Sequence, residues 1–206
     1  MSGDGNGRRN TCRGTCCTLL VSVGFSVLIY WAIFQPHQIR ATVDSAALSN
    51  LTVVSSGAGA VSYRLAVDLG VYNPSKRVKI YYDAIHAELR SRGAAAVLSQ
   101  AAGTTAFPSE FLQGSKSGDA VKLEFDAKAV AVPGDVAGEL EKEARGEAPV
   151  SLELAVDVRV RYVFGAVKIR RKPRIRCSLS IPVKAEAAGA GVGGAVSSGD
   201  RCHVKY

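Results

Sequence analysis

The sequence has few of the residues from which metal sites and hydrolytic active sites are built. Its 206 residues include only three histidines, His37, His86 and His203. None of them has a Cys, Asp or Glu at metal-ligand spacing, apart from the neighbouring Cys202 and His203. The HExxH, GxSxG and Walker patterns do not occur in it. We therefore expect no catalytic residue, no metal site and no cofactor, and we expect that the protein is not an enzyme.

One glycine-rich stretch superficially resembles a nucleotide-binding loop. It is GAGVGGAVSS, residues 189–198, and no strand-then-helix context accompanies it. A phosphate-binding loop requires that context, because the backbone N–H groups of the following helix hold the phosphate. We therefore interpret residues 189–198 as a low-complexity loop.

Charge is absent from a long run near the N-terminus. No Asp, Glu, Lys or Arg occurs from Gly14 to Ile39, and its apolar centre of about 20 residues would span the hydrocarbon core of a bilayer as a helix. Tyr30 and Trp31 favour a membrane interface, and Pro36 ends the run. We predict a transmembrane signal anchor over residues 15–35. A cleaved signal peptide and a buried globular helix are the alternatives, but the run is long for the first and lacks a polar face for the second.

The charges that flank this run predict its orientation. Three arginines precede it, Arg8, Arg9 and Arg13, against the single acid Asp4. The positive-inside rule therefore predicts a cytosolic, disordered tail over residues 1–14 and an extracytoplasmic domain over residues 36–206.

The five cysteines fall into two groups. Cys12, Cys16 and Cys17 lie at the predicted cytosolic border of the membrane, where they are either palmitoylation sites or simply small apolar residues of a helix end. Cys177 and Cys202 lie in the outer domain, where an oxidising compartment would let them pair. We hypothesise a disulfide between these two residues.

One usable N-glycosylation sequon occurs in the outer domain. It is Asn50-Leu51-Thr52, which is modified only if this domain faces the lumen. A second candidate, Asn73-Pro74-Ser75, is blocked by its proline.

Alternation of apolar and polar residues dominates the rest of the chain. It is clearest over residues 61–71 and 150–164, and it predicts strands with one buried face. Weaker patterns predict further strands at residues 40–55, 78–92 (with a bulge near Ala84), 94–101, 121–126, 167–183 and 201–206. Residues 104–118 are predicted to form a loop, and residues 138–146 at most two turns of helix. The predicted fold is all-β, an antiparallel fibronectin/immunoglobulin-like β-sandwich of about seven strands.

The chain is basic, with 26 Lys+Arg against 18 Asp+Glu and a net charge of +8. Its densest cluster is KIRRKPRIR, in which the basic residues are Lys168, Arg170, Arg171, Lys172, Arg174 and Arg176. In an extracytoplasmic domain this cluster is not a nucleic-acid site. It is either a solvated edge strand protected by charge or a contact for an anionic surface, such as acidic polysaccharide or lipid headgroups. On a strand these charges would not share one face, because Lys168, Arg170 and Lys172 point one way and Arg171 points the other. We expect Pro173 then to reset the strand phase.

Several stretches resemble a known plant family. Residues 73–83, NPSKRVKIYYD, are similar to the signature of the harpin-induced-like proteins, which are related to the non-race-specific disease resistance proteins and carry a late embryogenesis abundant group 2 domain. The motif residues are Asn73, Pro74, Tyr81, Tyr82 and Asp83. The stretches FQPHQIRATVDSAAL, PSEFLQGSK, IRCSLSIP and RCHV also resemble that family, at residues 34–48, 108–116, 175–182 and 201–204.

The resemblance implies a plasma-membrane protein that acts in plant defence or stress responses through protein partners, without enzyme activity. Because Tyr81 and Tyr82 must face opposite sides of a strand, we expect one in the core and one exposed. Two alternatives remain open. The domain could tether the membrane to acidic cell-wall polysaccharide or anionic lipid through its basic strand, or it could hold an apolar lipid between its sheets.

Overall fold

A computed structural model describes residues 17–29, 38–54, 59–92, 97–100, 111–165, 167–185, 191–197 and 199–206 of the chain. These residues form two compact units, one within Met1–His37 and the other within Gln38–Tyr206.

The first unit contains one helix, α1, over residues 17–29, and its apolar side chains are exposed. Within the described residues, no helix has both the length and the apolar character required to cross a bilayer. The predicted anchor, residues 15–35, extends at both ends beyond the described residues. The predicted tail and the candidate palmitoylation sites Cys12 and Cys16 also lie outside them, whereas Cys17 is exposed with a free thiol.

The second unit consists of two antiparallel sheets and one helix, which supports the predicted β-sandwich. The longer strands are β1 (Arg40–Val54), β2 (Ala60–Tyr72), β3 (Lys79–Ser91), β6 (Gly118–Ala131), β7 (Val150–Phe164) and β9 (Arg174–Ile181). The shorter ones are β4 (Val97–Gln100), β5 (Phe111–Gln113), β8 (Val167–Arg171), β10 (Lys184–Ala185), β11 (Val192–Val196), β12 (Asp200–Arg201) and β13 (His203–Lys205). Helix α2 covers Gly134–Ala144.

Strand order follows from the pairing registers. Sheet 1 has the order β10-β11-β1-β2-β6, with β12 also paired to β1. Sheet 2 has the order β13-β9-β7-β3-β4, with β5 paired to β3 and β8 paired to β7. Alternate residues of the long strands form the core, for example Leu65 and Phe125 of sheet 1 and Ile80 and Leu154 of sheet 2, all of them fully buried. Each such side chain contributes about 1.5–3 kcal/mol by leaving water.

Several predicted elements differ from the structure, among them the strand count, which is thirteen within the described residues rather than about seven. Helix α2 is longer and begins earlier than predicted, because Val136 and Leu140, four residues apart, are buried on one helix face. Strand β5 lies within the predicted loop 104–118, of which residues 104–110 are outside the described residues. Strand β11 lies within the predicted glycine-rich loop and pairs with β1. The absence of a side chain permits this at Gly194, where a Cβ would lie 1.9 Å from the Pro182 carbonyl oxygen.

Candidate functional site

The basic cluster lies on one continuous stretch that runs along β7. Val160 of β7 is opposite Arg171 of β8, and Asp157 of β7 is opposite Arg174 of β9. Two residues separate these pairs on β7 and two separate them on the opposite stretch, so the register against β7 is unchanged across Pro173. The Pro173 carbonyl accepts a hydrogen bond from the Val158 N–H at 3.1 Å. The expectation that Pro173 resets the phase is therefore wrong. Proline removes one donor from the ladder, but its carbonyl still accepts, and its ring is buried.

Because the phase is kept, five of the six basic side chains of the cluster share the outer face of sheet 2. All five are exposed. They are Lys168, Arg170, Lys172, Arg174 and Arg176. Arg171 points to the other side, beside the Tyr162 hydroxyl, whose raised pKa it partly lowers. We name the five residues the basic face.

Strand β13 extends the basic face with residues that sequence reasoning did not include. His203 lies opposite Arg176, and Lys205 lies opposite Arg174. The closing strand was predicted at residues 201–206, but its partner was not. Only the pairing with β9 shows that these side chains join the cluster.

A cleft of about 530 Å³ is located where β9 and β13 pair. It is lined by basic and aromatic side chains, namely Lys172, Arg174, Arg176, His203, Lys205 and Tyr206. No carboxylate side chain is among these described lining residues. The cleft can therefore bind anions through charge-assisted hydrogen bonds.

Acidic neighbours neutralise the basic face only weakly. Arg174 Nε lies 3.3 Å from Asp157 Oδ1, and Arg176 Nη1 lies 3.6 Å from Glu153 Oε1. Both arginine side chains are more than half exposed. Exposed pairs of this kind contribute about 0–1 kcal/mol, so a polyanion can displace the carboxylates.

A disulfide holds β13 beside the basic face. Cys177 and Cys202 are bonded, with 4.5 Å between their Cα atoms, which confirms the predicted pair. Beyond it, the Tyr206 hydroxyl accepts a hydrogen bond from the Ile39 N–H at 2.8 Å and lies 2.9 Å from the Tyr162 hydroxyl. Burial raises the pKa of Tyr162, and the hydrogen bond to Tyr206 raises it further. The C-terminal segment is therefore fixed at both of its ends.

The motif residues Asn73 and Pro74 form part of a buried turn. Asn73 Nδ2 donates to the Val78 and Gly114 carbonyls, both at 2.8 Å, and its Oδ1 accepts from the Ser75 N–H at 3.1 Å. The side chain of Asn73 is fully buried. It therefore joins the β2–β3 turn to the turn after β5, and its role here is structural.

The two motif tyrosines face opposite sides, as predicted. Tyr82 is 2% exposed and stacks on Phe111, with ring centroids 4.4 Å apart. Tyr81 is half-buried, and the Arg161 guanidinium lies 5.5 Å from its ring centroid. Arg161 also donates from Nε to Asp83 Oδ1 at 2.6 Å. Asp83 is thus paired beside the basic face.

Two other predictions can be located. Asn50 is exposed and has a left-handed φ of 54° at a bulge of β1. One apolar cavity between the described parts of the two sheets, lined by Leu48, Leu140 and Leu152 among others, measures about 10 Å³. That is about the space of one water, and it cannot hold a lipid chain.

Comparison with known proteins identifies relatives of this chain. NDR1/HIN1-like protein 3 of Arabidopsis thaliana is 27% identical over 191 residues, 92% of this chain and 77% of that protein. NDR1/HIN1-like protein 10 is 29% identical over 168 residues (81% and 70%), and NDR1/HIN1-like protein 2 is 27% identical over 158 residues (76% and 62%). These matches confirm the resemblance inferred from residues 73–83.

The remaining comparisons add little. No protein-family model matches the chain. A crystal structure of a protein from Archaeoglobus fulgidus aligns with 70% of this chain and 95% of its own, at 13% identity and a TM-score of 0.29, which is too low to indicate a shared fold.

Proposed function

We propose, from its similarity to the NDR1/HIN1-like proteins, that this chain acts in plant defence or stress responses. In this proposal it is a single-pass, non-enzymatic protein of the plasma membrane. Residues 15–35 anchor it, its N-terminus is cytosolic, and a fibronectin-like sandwich lies outside the cell. The exposed apolar side chains of α1 and the charge-free run from Gly14 to Ile39 support the anchor.

Protease treatment of sealed plasma-membrane vesicles tests the topology. With tags at the two termini, we expect protease on the extracellular side to remove only the C-terminal tag. Removal of the C-terminal tag from the cytosolic side alone would overturn the orientation, and extraction of the chain by alkaline carbonate would overturn the anchor.

The ligand that we propose for the outer domain is an acidic polysaccharide of the cell wall. The basic face carries this proposal. Alternate residues of a strand are about 6.4–6.8 Å apart, so the five cations of the basic face form a row along the β8–β9 stretch on the outer face of sheet 2. A row of this kind suits a linear polyanion better than a single small anion, because each charge of the row can meet a different acidic unit.

Protection of an edge strand against aggregation would explain charges on β8 alone. It does not explain why β13 brings His203 and Lys205 to the same face, or why these residues line a cleft with Arg174 and Arg176. The cleft therefore favours ligand binding over protection.

Retention of the detergent-solubilised full chain on immobilised polygalacturonate tests this proposal. We expect Lys172→Gln, Arg174→Gln and Arg176→Gln together to weaken binding on the order of tenfold or more, and added salt to weaken wild-type binding similarly. The matched control neutralises three exposed cations of sheet 1, Arg64→Gln, Lys122→Gln and Lys128→Gln. Equal losses in both triple variants would show that net charge alone is responsible, and retention unchanged in the first would discard the site.

A further inference from the structure

Strand β8 has a second side that the basic face does not use. On this side Val167 and Ile169 are 49% and 42% exposed, although they lie opposite Phe164 and Tyr162, which are buried. Among the described strands, β8 pairs only with β7, and all five of its residues are exposed. The side of β8 that continues the core-facing side of β7 is therefore open to solvent and does not pack in the core. One edge strand carries apolar side chains and Arg171 on one side, and Lys168 and Arg170 on the other.

This side of β8 lies at the end of the domain where the chain enters. Ile39 donates its N–H to the Tyr206 hydroxyl, which in turn contacts the Tyr162 hydroxyl at 2.9 Å. Tyr162 is the direct cross-strand neighbour of Ile169. Strand β1 begins at the same end, where Arg40 lies opposite Tyr72.

The exposed side chains of this end have a common chemistry. Tyr72 and Tyr206 are 39% and 46% exposed, so that two aromatic rings accompany the aliphatic pair of β8. Tyrosine rings favour the membrane–water interface, since one edge is apolar and the other is polar. Cations beside them attract the negative surface of a bilayer.

We propose that this end of the domain docks on the surface of an anionic bilayer. Val167 and Ile169 enter the headgroup region, and Arg171 binds lipid phosphate beside them. The proposal rests on the membrane anchor proposed above, which ends at residue 35, two residues short of the start of the second unit at Gln38. Each cation near such a surface contributes about fivefold to the docking equilibrium.

A second copy of this chain is a poorer occupant of the same edge. Pairing of two β8 strands would bring Lys168, Arg170 and Arg171 of each copy against the other, and like charges on facing strands are destabilising. An anionic lipid surface instead complements Arg171 beside the apolar pair of β8.

Depth-dependent fluorescence quenching tests the proposal with the full chain reconstituted in vesicles. The chain has a single tryptophan, Trp31, within the predicted anchor, so quenching of wild-type fluorescence by brominated lipids reports insertion of the anchor. In a Trp31→Phe background, Ile169→Trp then reports docking. The matched control is Val54→Trp in the same background, because Val54 is 53% exposed and lies at the opposite end of β1.

The outcomes separate the two proposals. We expect quenching of the Ile169→Trp reporter in vesicles with about one third phosphatidylserine, less in pure phosphatidylcholine, and none for Val54→Trp. Adding Arg171→Gln should reduce the docking equilibrium constant about fivefold, whereas Arg170→Gln, on the basic face, should have less effect. If wild-type Trp31 is quenched while Ile169→Trp behaves like Val54→Trp, the anchor stands and docking is overturned. Equal quenching in neutral and anionic vesicles would overturn the role of charge. If Trp31 is not quenched, the anchor is overturned, and Ile169→Trp then decides docking with added vesicles.

Discussion

The Tyr82 hydroxyl donates a hydrogen bond to Gln113 Oε1 inside the core, with 3.0 Å between the two oxygens. Gln113 Nε2 donates in turn to the Val71 carbonyl at 2.9 Å, so this side chain links β3 of sheet 2 to β2 of sheet 1. Both Tyr82 and Gln113 are almost fully buried. Burial raises the pKa of Tyr82, and the hydroxyl therefore remains a donor at neutral pH. The second tyrosine of the YYD motif thus joins the two sheets.

Removing this hydroxyl should destabilise the domain. Tyr82→Phe leaves Gln113 Oε1 buried without its donor, which costs about 1–3 kcal/mol of unfolding free energy. Tyr81→Phe is the matched control, because its ring stays beside Arg161 and a half-exposed position should change stability by less than about 0.5 kcal/mol. Urea unfolding of both variants measures the difference. Equal effects would show that the Tyr82 hydroxyl has no special role.

Asn73 should be more sensitive than either tyrosine. Asn73→Ala removes the partner of two buried backbone groups, the Val78 carbonyl and the Ser75 N–H, and of the partly buried Gly114 carbonyl. At about 1–3 kcal/mol for each buried unsatisfied group, the loss is at least about 2 kcal/mol. Lys76→Ala, at an exposed position of the same turn, should be nearly neutral. Thermal unfolding that leaves Asn73→Ala as stable as Lys76→Ala would contradict the network.

The disulfide should contribute to stability and also to ligand binding. Its 25-residue separation predicts a contribution of about 3–4 kcal/mol on the chain-entropy model. We expect Cys177→Ala with Cys202→Ala to lower the urea midpoint, and dithiothreitol to lower it for the wild type only. Because β13 supplies His203 and Lys205, the double variant should also bind polygalacturonate more weakly under conditions where it remains folded. Unchanged binding by the folded variant would exclude β13 from the site.

Much of the fold could be predicted because most strands have one buried face. The alternation at residues 61–71 and 150–164 directly reflects burial, as does the opposite placement of Tyr81 and Tyr82. The bulge near Ala84 is also confirmed by a register shift after Tyr82. The local sequence pattern is sufficient to predict burial wherever the burial of a residue depends only on its position within its own strand.

The remaining features depend on partners distant in sequence. Strand β11 forms in a glycine-rich segment because β1 offers it an edge, and no local alternation indicates this. Pro173 keeps the register because Val158 donates to its carbonyl, which cannot be known before the pairing of β7 with β9. For the same reason, the sequence alone did not place Arg174 and Arg176 on the same face as Lys172, and it missed the contribution of β13. The basic face therefore depends on the strand register, which is set by pairing between strands that are distant in the sequence.

A glycan at Asn50 would establish the side of the membrane on which the domain lies. The residue is exposed and has a left-handed backbone, a conformation that asparagine tolerates better than most residues. Expressed in plant cells, the protein should show a mobility shift on glycosidase treatment, and both Asn50→Gln and Thr52→Ala should abolish it. Only Asn50→Gln should also lose stability, by about 1 kcal/mol, because glutamine is strained at a positive φ. Two variants that lose the shift while differing in stability would separate the glycan from the backbone effect. Absence of any shift in the wild type would remove the glycan and weaken the proposed orientation of the anchor.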